Sequence, residues 1–294
     1  MRKKTIMLAS VLTLGSVFAQ KDINLTINHV FEGAPFAYNT TYTGTDGKAV
    51  SFSRVQYYLS GFELTHDGGQ STAPSDAYVL ASGNVSSYSL GTVDINTLEA
   101  ITFDFGLSYD INHMGTSNWA SNHPLSSQSP TMDWGWPAGY FFFIIDGMVD
   151  DNNDGVPNKL FQMHGIGDVI LRDVNPLTEM NLSGASIDIV MDANIADLIK
   201  NVNLVTTGFD HSGSTGNQFI ATNTNTETVF TLGSEVSVEE IMAQKANIHA
   251  DYSLPYAPTL VYKLPTTKNV KIQIYDANGR VVLESNDQAK EGNF

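Results

Sequence analysis

The chain has 294 residues, no cysteine and a formal net charge of −16 at pH 7. This acidic balance argues against nucleic acid and anionic membranes as partners, because phosphate contacts require clustered cations. The lack of cysteine excludes a disulfide framework, a thiolate metal site and a cysteine nucleophile.

The first 19 residues predict a secretory signal peptide. A basic start and an apolar run precede Val17-Phe18-Ala19, which favours cleavage before Gln20. The apolar run is too short to span a membrane, and no later stretch is long enough. We therefore expect an exported protein that does not span a membrane.

Short β-type runs separated by Gly, Asn, Asp and Ser follow from Lys21 onward. Residues 23–28 alternate between apolar and polar, Asp-Gly turns are expected near residues 46 and 67, and Phe141–Ile145 is expected to be a core strand buried on both faces. The other predicted strands are 52–64, 78–80, 98–106, 169–172, 187–191, 217–221 and 228–232. A short helix is predicted over residues 192–202 with Asp192 as its N-cap. Strands without regular intervening helices predict an all-β fold, a mainly antiparallel β-sandwich.

The C-terminal part predicts a separate module. After a main domain over residues 20–235, a capping box at Ser237 predicts a short helix through Lys245 within a linker over residues 236–255. The tail, residues 256–294, predicts a small β-rich module with strands at 260–264, 270–275 and 281–284.

The stretch from Asn112 to Asp168 contains all three tryptophans and three of the seven histidines, His113, His123 and His164. Imidazoles without thiolates, with one oxygen ligand, fit Cu(II) best. The spacing matches no short metal motif, so the ligands would have to converge through the fold. The alternative is that each histidine only forms hydrogen bonds at the edge of a loop.

An acidic loop in the same stretch matches the first half of a calcium loop. Asp150, Asn152 and Asp154 occupy its first, third and fifth positions and Gly155 its sixth, but position twelve is Phe161 instead of glutamate. The sequence therefore excludes a standard EF-hand. It leaves open a loop that binds calcium with one further oxygen ligand, from Asp146 or Asp168. The alternative is a solvated acidic turn.

The sequence contains no recognised catalytic pattern. There is no G-x-S-x-G, P-loop or dinucleotide fingerprint, and Asp210-His211-Ser212 are adjacent in sequence, which does not establish triad geometry. We therefore expect a protein that is not an enzyme. A surface hydrolase stays open as an alternative, and it would need a nucleophile placed by the fold.

Five motifs together resemble the MbnP-like copper-binding domain over roughly residues 22–235. They are VQYYLSGFEL (55–64), FGLSYDINH (105–113), HPL (123–125), MDWGWPAGYFFFIIDG (132–147) and FQMHGIGD (161–168). The resemblance implies a β-sandwich with a mononuclear copper site built from histidines. In some members a tryptophan beside the metal is oxidised to kynurenine.

Carried over by position, the resemblance implies His113 and His164 as the first copper ligands, with His123 and His29 next. It also implies that one tryptophan of the Trp-Gly-Trp motif, Trp134 or Trp136, is the residue oxidised. The chain departs from many relatives by having Asp133 where they have histidine, which would offer a carboxylate oxygen instead. The acidic loop at residues 150–158 is an addition to the usual pattern.

The tail resembles a C-terminal sorting domain of the type IX secretion system. The segment IQIYDANGRVV (272–282) matches its strand, Asp-x-x-Gly turn and strand, and Phe294 stands before the strand that normally completes the module. The resemblance implies the type IX secretion machinery as a partner, and secretion or attachment to the outer-membrane surface.

The sequence thus predicts an exported copper-binding protein that scavenges or stores the metal. The alternative is a calcium-stabilised structural or adhesive surface β-sandwich without a redox metal.

Overall fold

The structure is a computed structural model that describes residues 20–83, 87–135 and 137–233, together with the backbone of residues 247–251, 259–275 and 281–293. The chain divides into two compact units, Met1–Gly233 and Ser234–Phe294. The predicted signal peptide, the helix predicted at Ser237–Lys245 and Trp136 lie outside the described residues. In the part of the chain that the structure describes, no helix is long and apolar enough to cross a membrane.

Short and long strands dominate the first unit. They are β1 (Gln20–Phe31), β2 (Ala34–Pro35), β3 (Tyr42–Thr43), β4 (Ala49–His66), β5 (Gln70–Thr72), β6 (Val79–Ser82), β7 (Ser87–Asp94), β8 (Thr97–Phe105), β9 (Asp133–Gly135), β10 (Gly139–Val149), β11 (Lys159–Ile166), β12 (Arg172–Asp173), β13 (Leu182–Ser183), β14 (Ser186–Asn194), β15 (Phe209–Ser212) and β16 (Phe230–Leu232). The helices are α1 (Tyr109–Asn112), α2 (Ile195–Leu198), α3 (Leu204–Thr207) and α4 (Thr215–Thr226), with 3-10 turns at Thr116–Asn118 and Asp168–Ile170.

These strands form two sheets. One has the order β16-β14-β1-β2, with β7 also paired to β1. The other has the order β12-β8-β4-β10-β11-β15, with the short strands β3, β5, β6, β9 and β13 at its margins. The predicted all-β class is confirmed. Most pairs are antiparallel as expected, but β1–β14 and β11–β15 are parallel.

The core lies between the two sheets. From the smaller sheet Ile23, Leu25 and Ile27 point inward at alternate positions of β1, each at most 1% exposed. Across the interface the ring of Phe230 on β16 contacts the ring of Tyr57 on β4, with centroids 5.9 Å apart. Alternation along the strands thus buries one face of each sheet against the other.

Strand β10 is buried on both of its faces. Residues Phe141 to Ile145 are all between 0% and 4% exposed, as their continuous apolar run predicts. On either side β10 pairs with β4 and β11, which makes it a central strand of the larger sheet. The ladder between β10 and β11 in turn determines the position of His164 on β11.

Two local predictions after β11 are wrong. Residues 192–194 extend β14, because its parallel ladder with β1 reaches Asn194, and only Ile195–Leu198 is helical. The N-cap is Asn194, whose side chain accepts from the backbone N–H of Ala196, and Asp192 lies within the strand. Residues predicted as strand 169–172 form a 3-10 turn followed by the two-residue strand β12.

The third wrong local prediction is the strand at 217–221, which lies inside helix α4. The buried positions are Asn217, Ile220, Ala221, Asn223 and Thr224, of which 217, 220, 221 and 224 are spaced by three, one and three residues. That spacing places them on one face of a helix, which packs against the larger sheet.

The described residues of the second unit form three antiparallel strands. They are β17 (Asn247–Asp251), β18 (Thr259–Tyr275) and β19 (Val281–Asn293), in the order β17-β18-β19. Strand β17 lies within the predicted linker, and β18 runs through the position of the predicted Pro-Thr-Thr turn with a register shift between Lys263 and Lys268.

Candidate metal centre

Two histidines are brought side by side at the outer end of the larger sheet. In the ladder between β10 and β11, His164 lies opposite Ile144, and in the parallel ladder between β11 and β15 it lies opposite His211. The two imidazole rings stack with centroids 4.0 Å apart and an angle of 7° between their planes. Sheet register, not sequence proximity, therefore creates this pair.

One carboxylate fixes the orientation of His164. Its Nε2–H donates to Oδ1 of Asp146 over 2.7 Å, and the residue is only 8% exposed. Because the carboxylate accepts the proton on Nε2, the neutral ring carries its lone pair on Nδ1. Asp146 thus sets the tautomer of His164.

Two buried nitrogens of the pair lack a hydrogen-bond partner. They are Nδ1 of His164 and Nε2 of His211. Buried polar atoms are normally satisfied, so these two nitrogens are candidates for ligand atoms. Burial, and to a smaller degree the neighbouring His164, lowers the pKa of His211 below its usual value. Both effects favour the neutral imidazole that a metal ion requires.

Aromatic rings surround the pair. The edge of Phe141 contacts His164 with centroids 5.2 Å apart, and Trp134 contacts His211 with centroids 6.0 Å apart. The ring of Phe209, two residues before His211 in β15, also lies near His211, with centroids 6.4 Å apart. Trp134 is 54% exposed and Phe209 is 64% exposed. Aromatic side chains therefore contact both rings of the pair, and the two of them beside His211 are exposed to solvent.

The glycine that follows His164 is required by packing. A Cβ at Gly165 would lie 2.4 Å from the ring of Phe143 on β10. The second glycine of the His-Gly-x-Gly motif, Gly167, has a φ of +91°, a conformation that favours glycine. The motif is therefore explained by the close approach of β11 to β10 and by the turn that ends β11.

The other predicted copper ligands have different partners. His113 Nε2 lies 3.1 Å from Oδ2 of Asp168, whose other oxygen accepts from Asn112. Its ring packs against that of Tyr109, with centroids 4.5 Å apart. Asp168, which we considered for closing a calcium loop, is thus engaged with the residues around α1.

His123 lies in a second aromatic cluster. Its ring stacks on Trp119 with centroids 4.4 Å apart, and its Nδ1 accepts from the backbone N–H of Leu125 over 3.1 Å. Its Nε2 is buried without a hydrogen bond, 3.4 Å from a carboxylate oxygen of Asp76. Leu125 in turn accepts from the hydroxyl of Tyr140, which precedes Phe141 on β10. Tyr140 and Phe141 are successive residues of β10, so their side chains point to opposite faces of the sheet. Because Tyr140 contacts the loop of His123 and Phe141 contacts His164, the two histidines lie on opposite sides of β10.

His29 is on the smaller sheet, within β1. Its Nε2 is hydrogen-bonded to the hydroxyl of Tyr57 over 2.9 Å. Burial lowers the pKa of His29 to about 4. The ring is therefore neutral at physiological pH and serves as a hydrogen-bonding group between the two sheets.

Among the described residues, no group of three or more His, Cys, Asp or Glu side chains has the geometry to hold a metal ion. The structure brings together His164 and His211, of which the sequence reasoning proposed only the first. Asp133, the residue considered as an oxygen ligand, accepts from the backbone N–H of Gly135 over 2.9 Å. No spacing signal in the sequence marks His211, because it reaches His164 only through the parallel pairing of β15.

The buried aspartate of the acidic loop accepts hydrogen bonds from the loop's own backbone. Asp150 is 2% exposed, and its two oxygens accept from the backbone N–H groups of Asn152, Asn153 and Gly155 at 2.7–3.1 Å. Asn152 Nδ2 donates to Asp154, and Lys48 Nζ donates to Oδ1 of Asn153. The loop is therefore a network of turns and one lysine contact, and Asp146, considered as its closing oxygen, is bonded to His164.

Comparison with known proteins identifies the family. The model of the MbnP family matches residues 20–215. A solved structure, MbnP from Methylosinus trichosporium, aligns with a TM-score of 0.46 and 14% sequence identity, covering 67% of this chain and 83% of that chain. No match was found among curated proteins. Because the family match extends over more than half of the residues, the chain belongs to the MbnP family.

Proposed function

We propose that this member of the MbnP family binds copper through His164 and His211, and that it scavenges or stores the metal instead of catalysing a reaction. The observation that carries the proposal is that two adjacent imidazoles each have a buried nitrogen without a hydrogen-bond partner, Nδ1 of His164 and Nε2 of His211. Because each lone pair lies in its ring plane and the two planes are nearly parallel, one ring would turn out of the stack for both nitrogens to bind the same ion. Imidazole is a good ligand for copper, and the lowered pKa of His211 favours the neutral form that binds a metal ion.

The arrangement around the pair supports a metal site in a second way. Asp146 accepts the Nε2 proton of His164, which matches the common arrangement in which a carboxylate orients a metal-binding histidine. Such a contact raises the basicity of the ligand and prevents rotation of the ring. Phe141 shields the inner side, so that water has little access to the ligand nitrogens.

Trp134 is the candidate for oxidation in this proposal. Its indole lies beside His211 and is 54% exposed, so that an oxidant could reach it from solvent. A bound copper ion would supply redox chemistry at this position. Trp136, the other candidate in the motif, stays a prediction from the sequence.

The remaining parts of the proposal concern export. The basic and apolar start of the chain favours a signal peptide, and the segment at residues 272–282 favours sorting by the type IX secretion machinery. We propose that the protein is secreted or attached at the cell surface. The calcium alternative receives no specific support from the loop at Asp150, whose carboxylate is already satisfied by backbone N–H groups.

Competition titration with copper(I) and a chromophoric chelator tests the site. We expect one copper per chain for the unmodified protein, and loss of that binding in both His164→Ala and His211→Ala. The matched control is His113→Ala, because this half-exposed histidine is the first ligand implied by sequence but contacts Asp168 instead of the pair. Loss of binding in the control, with full binding in His211→Ala, would overturn the assignment.

A further inference from the structure

One buried amide connects the two histidine strands. Asn217 on α4 is 0% exposed, and its Nδ2 lies 2.9 Å from the carbonyl oxygen of His164, 2.9 Å from that of Asp210 and 2.8 Å from that of Ser212. Asp210 and Ser212 flank His211 in β15. The single amide therefore contacts the backbone at one histidine and on both sides of the other.

The orientation of this amide is determined by its surroundings. Three carbonyl oxygens can accept only from the NH₂ group, whereas the reverse orientation would place the amide oxygen against three other oxygens. As a consequence, Oδ1 of Asn217 is buried without a hydrogen-bond partner. An unsatisfied buried acceptor costs stability, so the contacts of the NH₂ group must outweigh that cost.

We propose that Asn217 is the positioning residue of the histidine pair. By bridging β11 and β15, it holds them in the register that places His164 beside His211, the arrangement on which the proposed copper site depends. This inference rests on the proposed copper site. Asn217 lies in helix α4, two residues beyond the stretch that the family model matches.

The same helix provides a matched control. Asn223, two turns along α4 and 4% exposed, also donates its Nδ2 to two backbone carbonyl oxygens, those of Leu198 and Lys200. Those residues belong to α2 and the segment after it, not to the histidine strands. Substitution of either asparagine removes a buried amide that ties α4 to the neighbouring backbone, but only Asn217 touches the pair.

The test compares Asn217→Ala with Asn223→Ala in two measurements. The first is the nuclear Overhauser effect between the ring protons of His164 and His211 in the metal-free protein. The second is the affinity for copper(I), measured by chelator competition. For Asn217→Ala we expect loss of the ring-to-ring effect and copper binding weaker by about ten-fold or more, the size typical of losing a residue that orients a ligand. For Asn223→Ala we expect both to be retained.

Two results would overturn the inference. One is an unchanged ring contact and unchanged copper affinity in Asn217→Ala. The other is an equal loss in both variants, since that would indicate general destabilisation of α4. If Asn217→Ala does not fold, Asn217→Ser, which keeps one donor at this position, is measured in its place. For Asn217→Ser we expect a weaker ring-to-ring effect and a smaller loss of copper affinity. If the unmodified protein binds no copper, the proposed function fails, while the ring contact in the metal-free variants still decides the role of Asn217.

Discussion

The buried histidine between the two sheets makes stability depend on pH. His29 has a pKa of about 4 in the folded protein, lowered by burial from 6.5. Between these values the unfolded chain binds a proton that the folded protein does not, so stability is complete above pH 6.5 and is lost as the pH falls towards 4. The full difference corresponds to about 3 kcal/mol, of which about 2 kcal/mol is lost at pH 5.

Urea unfolding at pH 7.5 and pH 5.0 tests this expectation with His29→Gln as the comparison. Glutamine can still reach the hydroxyl of Tyr57 but does not titrate. The free energy of unfolding of the unmodified protein should fall by about 2 kcal/mol more than that of the variant between the two pH values. Other titrating groups contribute equally to both proteins and cancel in the difference. Equal losses in both proteins would refute the account of His29.

Three further predictions concern other parts of the main domain. Gly165→Ala should lower the free energy of unfolding by about 1–3 kcal/mol in urea titrations, because its Cβ would overlap the ring of Phe143; an unchanged value would contradict the packing of β11 on β10. Burial, and then the neighbouring carboxylate of Asp173, raises the pKa of Asp104 to about 6, so this group contributes stability at low pH that is lost as the pH rises through 6. In thermal melts Asp104→Asn should therefore be more stable than the unmodified protein at pH 7.5 and lose that advantage at pH 4. A stability advantage that increases at low pH would contradict the raised pKa of Asp104. Asp150→Asn should lower the melting temperature even in EDTA, because its oxygens hold backbone N–H groups without an ion; an effect seen only with calcium present would support the calcium loop instead.

Regular strands could be predicted from the sequence, because alternation and apolar runs record which face is buried. The strand at Ile23–Asn28 and the core run at Phe141–Ile145 show this directly. Helix α4 could not be predicted in the same way, because its buried face includes Asn217 and Thr224, polar residues that a search for apolar periodicity does not count.

The candidate site was predictable only in part. His164 stands in a recognisable His-Gly-x-Gly motif, and the glycines of that motif have physical reasons in β11. His211 has no such motif, and it comes beside His164 only through a parallel ladder between strands that are far apart in sequence. Long-range register of this kind leaves no local signal, which is why the sequence did not mark His211 as a partner of His164.

The measurement that tests the central claim most directly is a long-range proton–nitrogen correlation spectrum of the histidine rings, recorded before and after addition of one equivalent of copper(I). The account predicts large nitrogen shifts at Nδ1 of His164 and Nε2 of His211, with the rings of His29, His113 and His123 unchanged. Shifts at His113 or His123 with the His164–His211 pair unaffected, or no shift at any histidine, would contradict it.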